Sequence, residues 1–159
     1  DVCSSDLTSI IVEQLGITRR LLVAIADGLD DERLITIPPG WNNHILWNLG
    51  HVTVTLRLLC YRLSGLDTGF APTVIDDFGK GSSPRAWTGT YSYQDFRELL
   101  CNQHELLAAD LADGAFRHYQ PYQTSAGVEL TSIADAIAFN HFHEGIHLGA
   151  VMALRRAVA

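Results

Sequence analysis

Four stretches of the chain carry apolar residues at the three-, four- and seven-residue steps of a helix face. The first runs from about Ser5 to Leu29, with Leu7, Ile11, Leu15, Leu22, Ile25 and Leu29 on one side. The second runs from an N-cap at Asn42 or Asn43 to Leu63, with Gly65 as its stop. Its inward stripe reads His44, Trp47, Asn48, His51, Thr55 and Leu58. The third starts at Ser92, an N-cap with Asp95 three positions on, and reaches about Ala112, with Phe96, Leu99, Leu100, Gln103, Leu106, Leu107 and Leu111 inside. The fourth starts near Thr131 or Ser132 and runs almost to the end. The pattern predicts one all-α domain over residues 1–159, a four-helix bundle with long connections between helices 2 and 3 and between helices 3 and 4. A connection as long as 65–91, with Pro72, Pro84 and several Gly, reads as functional or as a lid. The segment "GVELT" can hold a short extended piece, but no pairing partner is evident.

Composition narrows the classes. Hydrophobic residues make up 47% and charged residues 18%, which fits a globular chain and not a disordered one. No apolar run reaches the roughly 18 residues of a membrane span, so no membrane partner is expected. A formal charge of −7 argues against nucleic acid. Cys3, Cys60 and Cys101 are an odd set with no CxxC, and the last two fall in helical patterns as small buried hydrophobes. A reducing, cytoplasmic setting is therefore expected, without a disulfide framework. The opening "DVCSSDL" lacks Met and is similar to sequencing-adapter read-through. Residues 1–7 are accordingly expected to be a non-native leader.

The fourth stretch changes the picture. His143-Glu144-Gly145-Ile146-His147 spells H-E-x-x-H, which on a helix marks zinc proteases. At about 100° and 1.5 Å per residue, His143 and His147 lie about 40° and 6 Å apart, so two imidazoles can converge on one ion. Asn140 shares their face, which is otherwise apolar and small. Two neutral imidazoles buried without partners would lose their hydrogen bonds to water, and a shared metal removes that cost. From this helix alone, two separately satisfied histidines are as good a reading. His51 tips the balance: a third inward His from a facing helix completes three nitrogen ligands with an open position, the catalytic type of site. Imidazoles suit Zn, Ni or Fe, so a divalent transition metal is expected without its identity.

A protease is the weakest reading. Only twelve residues follow His147, none acidic, and Ala153 stands where an extended motif would place a third His. No strand is evident to hold a peptide. Glu144 lies at the flank of the metal face, where an exposed helix carboxylate and an outer-shell or base role fit equally. His44 reads as a polar group at the rim rather than a fourth ligand. Trp47 suits the core or a substrate platform. Asn48 and Asn140 suit outer-shell or substrate contacts as well as ordinary helix positions. His104 reads as solvated.

The chain resembles the DinB-like metal-binding four-helix bundles, a superfamily that includes bacillithiol transferases and related thiol-dependent enzymes. "WNLGHV" (47–52), "FGKGSSP" (78–84) and "HEGIHLG" (143–149) followed by "LRR" carry the resemblance, over nearly the whole chain after about Thr8. It implies the bundle, and a metal on His51, His143 and His147. Ala150 departs from the Gln that members often carry there. The implied function is a metal-dependent transferase in which the metal activates a low-molecular-weight thiol toward a small electrophile. A non-enzymatic metal- or ligand-binding stress protein is the alternative. Lys80 and Arg85 read as solvated loop charges, with contact to an anionic group of either partner as the alternative. The second apolar face of the last helix, Gly145, Leu148, Gly149 and Met152, needs a cover. With the resemblance, it points to a homodimer.

Overall fold

A computed structural model describes residues 2–159, with side chains from residue 7 onward. The expectations for the Cys3 side chain and for the leader lie outside what is described. Six α-helices follow in order: α1 (Val2–Asp27), α2 (Asp31–Ile35), α3 (Ile45–Leu56), α4 (Pro72–Phe78), α5 (Gln94–Ala112) and α6 (Ile133–Ala157). The four long ones form the bundle, in which α1 packs on α5 and α6, and α3 packs on the same two. The short α2 and α4 lie in the connections. No helix among the described residues is long and apolar enough to cross a membrane.

The ends of the long helices follow local chemistry. Ser132 caps α6 by accepting from the Asp135 amide, while the Asp135 carboxylate accepts from the Thr131 amide and hydroxyl. The cap of α3 is His44, whose Nδ1 accepts from the Trp47 amide, and not Asn42 or Asn43 as expected. Helix α5 starts two residues after Ser92, although Ser92 and Asp95 are hydrogen-bonded as their spacing predicts. Helix α3 does not run on as α-helix to Leu63. Arg57–Tyr61 form a π turn and Arg62–Ser64 a 3-10 turn, after which Gly65 takes φ 74° and ends it.

Helix α3 is the central element, buried all round: of its twelve residues only Thr55 is not buried. Gly50 is part of the reason it fits. A Cβ there would collide with the ring of Phe78, which is itself fully buried. The apolar core falls into two clusters. One holds Leu22, Leu49, Phe78, Phe96, Leu100 and Val151; the other holds Val12, Leu15, Leu56, Leu107 and Ile137.

Between them, along every long helix, lies a polar layer. Arg19 of α1 and Glu144 of α6 form a fully buried ion pair at 2.6 Å. Arg19 also donates to the Gln103 side chain and the Leu99 carbonyl of α5, and to the Val52 carbonyl of α3. Gln103 in turn donates to the Thr53 carbonyl. One guanidinium therefore ties all four helices at one level, the donor fork of Arg being suited to several acceptors at once.

The structure decides two expectations in the connections. Of the two readings of residues 65–91 it does not give an open lid: α4, with Phe78 at its end, packs on the core, and the Asp77 carboxylate accepts from the Thr88 and Gly89 amides and the Tyr91 hydroxyl. "GVELT" does find a partner, since Tyr122–Gln123 pairs antiparallel with Glu129–Leu130. Cys60 is buried as expected, but Cys101 is exposed.

Candidate metal centre

Helix α3 brings His51, and α6 brings His143 and His147, to one place. Their ligand nitrogens all lie within 4.8 Å of one another. The Nε2 of His143 sits 3.1 Å from that of His51 and 3.2 Å from that of His147. Two of the three imidazoles have their tautomer set from behind. Nδ1 of His51 is 2.6 Å from the Phe78 carbonyl, which only accepts, so Nδ1 carries the proton. Nδ1 of His147 is 2.8 Å from the Asn48 side-chain oxygen. Asn48 is itself oriented, because its amide nitrogen donates to the His44 carbonyl. Both His51 and His147 therefore aim an Nε2 lone pair at His143, whose single ring proton can satisfy only one of them. Nδ1 of His143 is buried without a partner among the described residues.

A cation resolves this arrangement. Nitrogens bound at about 2.0–2.1 Å around a tetrahedral ion stand about 3.3–3.4 Å apart, close to the two separations from His143. Burial, the first cause in each case, also holds all three imidazoles below their ordinary pKa of 6.5. His143 falls to about 4, with the neighbouring His51 contributing, and His147 falls to about 3. The ligands are thus neutral near pH 7, as a metal site needs. The three histidines can hold a metal ion, and the outer partners that fix them are of the kind metal sites use. Trp47 stacks flat on His51, with ring centroids 4.5 Å apart, and donates from its indole to the Ser82 hydroxyl. Ser82 donates onward to the Asp77 carbonyl. The segment "FGKGSSP" is therefore the back wall of the site, supplying a carbonyl to His51 and a hydroxyl to Trp47.

The remaining sequence candidates divide. Asn48 and Trp47 touch the ligands, whereas His44 is spent on the cap of α3 and stands edge-on to Trp87. Burial lowers the pKa of His44 to about 4. Asn140 lies one turn before His143, but its amide donates to the Ala136 carbonyl and faces the Cys60 sulfur. Its oxygen has no partner among the described residues. Glu144 is neither exposed nor beside the ligand nitrogens; it is the buried partner of Arg19. Burial raises its pKa above the ordinary 4.5, against the pull of that guanidinium. His104 is only partly exposed: its ring covers Gly16 of α1, where a Cβ would strike it.

His51 and His143 open on a cavity of about 400 Å³. Leu58, Leu59, Leu63 and Phe139 give it an apolar wall, and Tyr122, Thr124 and Ser125 of the hairpin give it another. Arg62 and Lys80 also line it, whereas Arg85 lies in a separate depression with His44 and Trp87. Sequence reading missed Arg19, Arg62 and the hairpin. Arg19 looks like one more charged residue of an amphipathic helix, and the π turn that places Arg62 has no 3.6-residue signature.

A family model described as the DinB superfamily matches residues 14–151. No curated protein matches the chain.

Proposed function

The chain belongs to the DinB superfamily, and on that footing we propose that it is a metal-dependent transferase acting with a low-molecular-weight thiol. One observation carries the reading: three neutral imidazoles converge with their Nε2 atoms inward, at a cavity large enough for a small molecule. A divalent zinc, nickel or iron ion on His51, His143 and His147 would supply Lewis acidity and favour the thiolate form of a coordinating thiol. The protein's own part is orientation. Phe78 and Asn48 hold the two outer imidazoles, and Trp47 braces His51 from the side. The apolar wall would lower the polarity on one side of the reacting sulfur, which strengthens charge interactions there. In the reaction, the S–H bond of the thiol breaks, a bond forms from sulfur to the electrophilic carbon, and the proton leaves with the displaced group.

This scheme does not need the chain's own cysteines. Burial, reinforced by the Glu144 charge, pushes the Cys60 thiol up to about 12, so it is not a nucleophile near neutral pH. Nor does the arrangement favour peptide hydrolysis, because the Glu that would act as base is held by Arg19.

The test is a screen of several thiols against a chromophoric electrophile. It compares metal-loaded protein, metal-stripped protein and the Cys60→Ser/Cys101→Ser variant. Turnover should disappear with the metal and persist without the cysteines. Activity that survives stripping but not the cysteine changes would overturn the reading. A protein that binds metal and turns over no thiol would be the binding protein of the alternative reading.

A further inference from the structure

We infer that the cavity beside His51 and His143 takes a small organic anion with an apolar body, selected by Arg62 and Lys80. This rests on the proposed function and deepens it by naming the substrate class of the same site. Leu58, Leu59, Leu63 and Phe139 offer a carbon skeleton a surface it can cover. The two cations lining the same space are unused. Among the described residues, neither the Arg62 nor the Lys80 side chain has a hydrogen bond or an ion pair. Of the 11 basic residues only Arg19, Arg33 and Arg97 form ion pairs among the described residues, and what sets Arg62 and Lys80 apart from the other free cations is that both line this cavity. No carboxylate lines the cavity to neutralise them.

Their meeting there is also built by the fold. The π turn Arg57–Tyr61 shifts the residues after it by about one position, roughly 100° of rotation, relative to a continued α-helix. It carries Leu58 and Leu59 and leads directly into Arg62. Lys80 comes from a different segment, two residues after the Phe78 carbonyl that holds His51. A ligand with both features thus has its anionic group matched by two cations and its body matched by the aliphatic wall. A neutral polar molecule of the same size would leave both cations unpaired.

The experiment is calorimetric titration of the full chain, metal-free and zinc-loaded, with 4-phenylbutyrate and with 4-phenylbutanol as its neutral match. The anion should bind about tenfold more tightly than the alcohol in both forms. Arg62→Gln and Lys80→Gln should each weaken anion binding, and together they should remove the preference while leaving the alcohol unchanged. Both side chains are exposed, so the variants should fold normally, which circular dichroism checks. Equal affinities, or no binding of the anion, would overturn the inference. So would a preference that needs zinc and survives the double change, since that would place the carboxylate on the ion. The readout is binding, so the two readings fail separately. Anion selectivity without thiol turnover removes only the transferase, and thiol turnover without anion selectivity removes only this assignment.

Discussion

The imidazoles of the cluster differ in what stands behind them, and the differences set what each substitution should do. His51 is backed by a main-chain carbonyl and His147 by an amide oxygen, whereas Nδ1 of His143 has no partner among the described residues. His51 is also the sole ligand from α3. His51→Ala should therefore abolish stoichiometric metal binding, as metal per chain by plasma mass spectrometry will show. Full occupancy in that variant would mean the ion sits elsewhere. His44 is the control, since it shares the stripe but spends its Nδ1 on the Trp47 amide. His44→Ala should keep the metal and lose about 1 kcal/mol of stability, the usual value of an N-cap. Glu144→Gln separates the motif's two meanings. If its carboxylate serves Arg19, the change leaves a buried guanidinium without its counter-charge and costs about 3 kcal/mol in urea unfolding. Metal content should stay near one per chain and no casein hydrolysis should exist to be lost. Metal-dependent casein turnover that Glu144→Gln abolishes would restore the protease reading.

Among the elements, the connection after α4 is the one whose order the site depends on. Asp77 is buried and accepts from two main-chain amides and two hydroxyls of residues 88–91. This pins the chain directly beside the Phe78 carbonyl. Burial acts to raise the Asp77 pKa, but the hydrogen bonds from Tyr91, Gly89 and Thr88 outweigh it and leave it below the ordinary 3.8. The sign follows from that depression. The folded state favours the charged form, so the contribution to stability is fully present above about pH 4 and is lost as pH falls through the lower, folded value. Asp77→Asn should lower stability by about 2 kcal/mol at pH 7. It should also flatten the acid limb of a stability–pH curve measured by urea unfolding. An unchanged acid limb would mean that Asp77 does not anchor this connection.

At the scale of the molecule, the polar layer and the metal site are neighbours in sequence on both helices they share. Val52, whose carbonyl accepts from Arg19, follows His51, and Glu144 follows His143. A slip of α3 against α6 would break the Arg19 contacts and part the histidines together, so the buried pair fixes the register in which the ligands meet. The outer side of α6 is a different matter. Gly145 and Gly149 face open space, with Phe142, Ile146 and Met152 exposed beside them, while Leu148 alone of the expected second face packs into the core. That face was expected to be covered, and no part of the described chain covers it. We propose that a second copy does, the two glycines allowing close approach of the paired helices. Light scattering at tens of micromolar should give twice the chain mass of 17.5 kDa. Phe142→Glu/Ile146→Glu should return the mass to that of one chain, and a wild-type monomer would remove the proposal.

The periodic apolar positions determined the four long helices, because a 3.6-residue repeat is a property of the chain alone. The i, i+4 spacing of His143 and His147 placed two ligands on one face for the same reason, and the polar interruptions around His51 marked the third. Everything that depended on which groups meet across the bundle was decided by tertiary structure. Glu144 reads as a base or a surface carboxylate until Arg19, 125 positions away, is packed against it. Arg62 is an unremarked surface charge, and Lys80 is paired in expectation with Arg85, until a π turn and a pinned connection bring Arg62 and Lys80 to one cavity, where Arg85 does not follow. The "GVELT" segment has no visible partner until the chain folds back on Tyr122–Gln123. Local periodicity records which side of an element faces inward, but not what it will find there. A buried charge takes its meaning from the partner it is desolvated with.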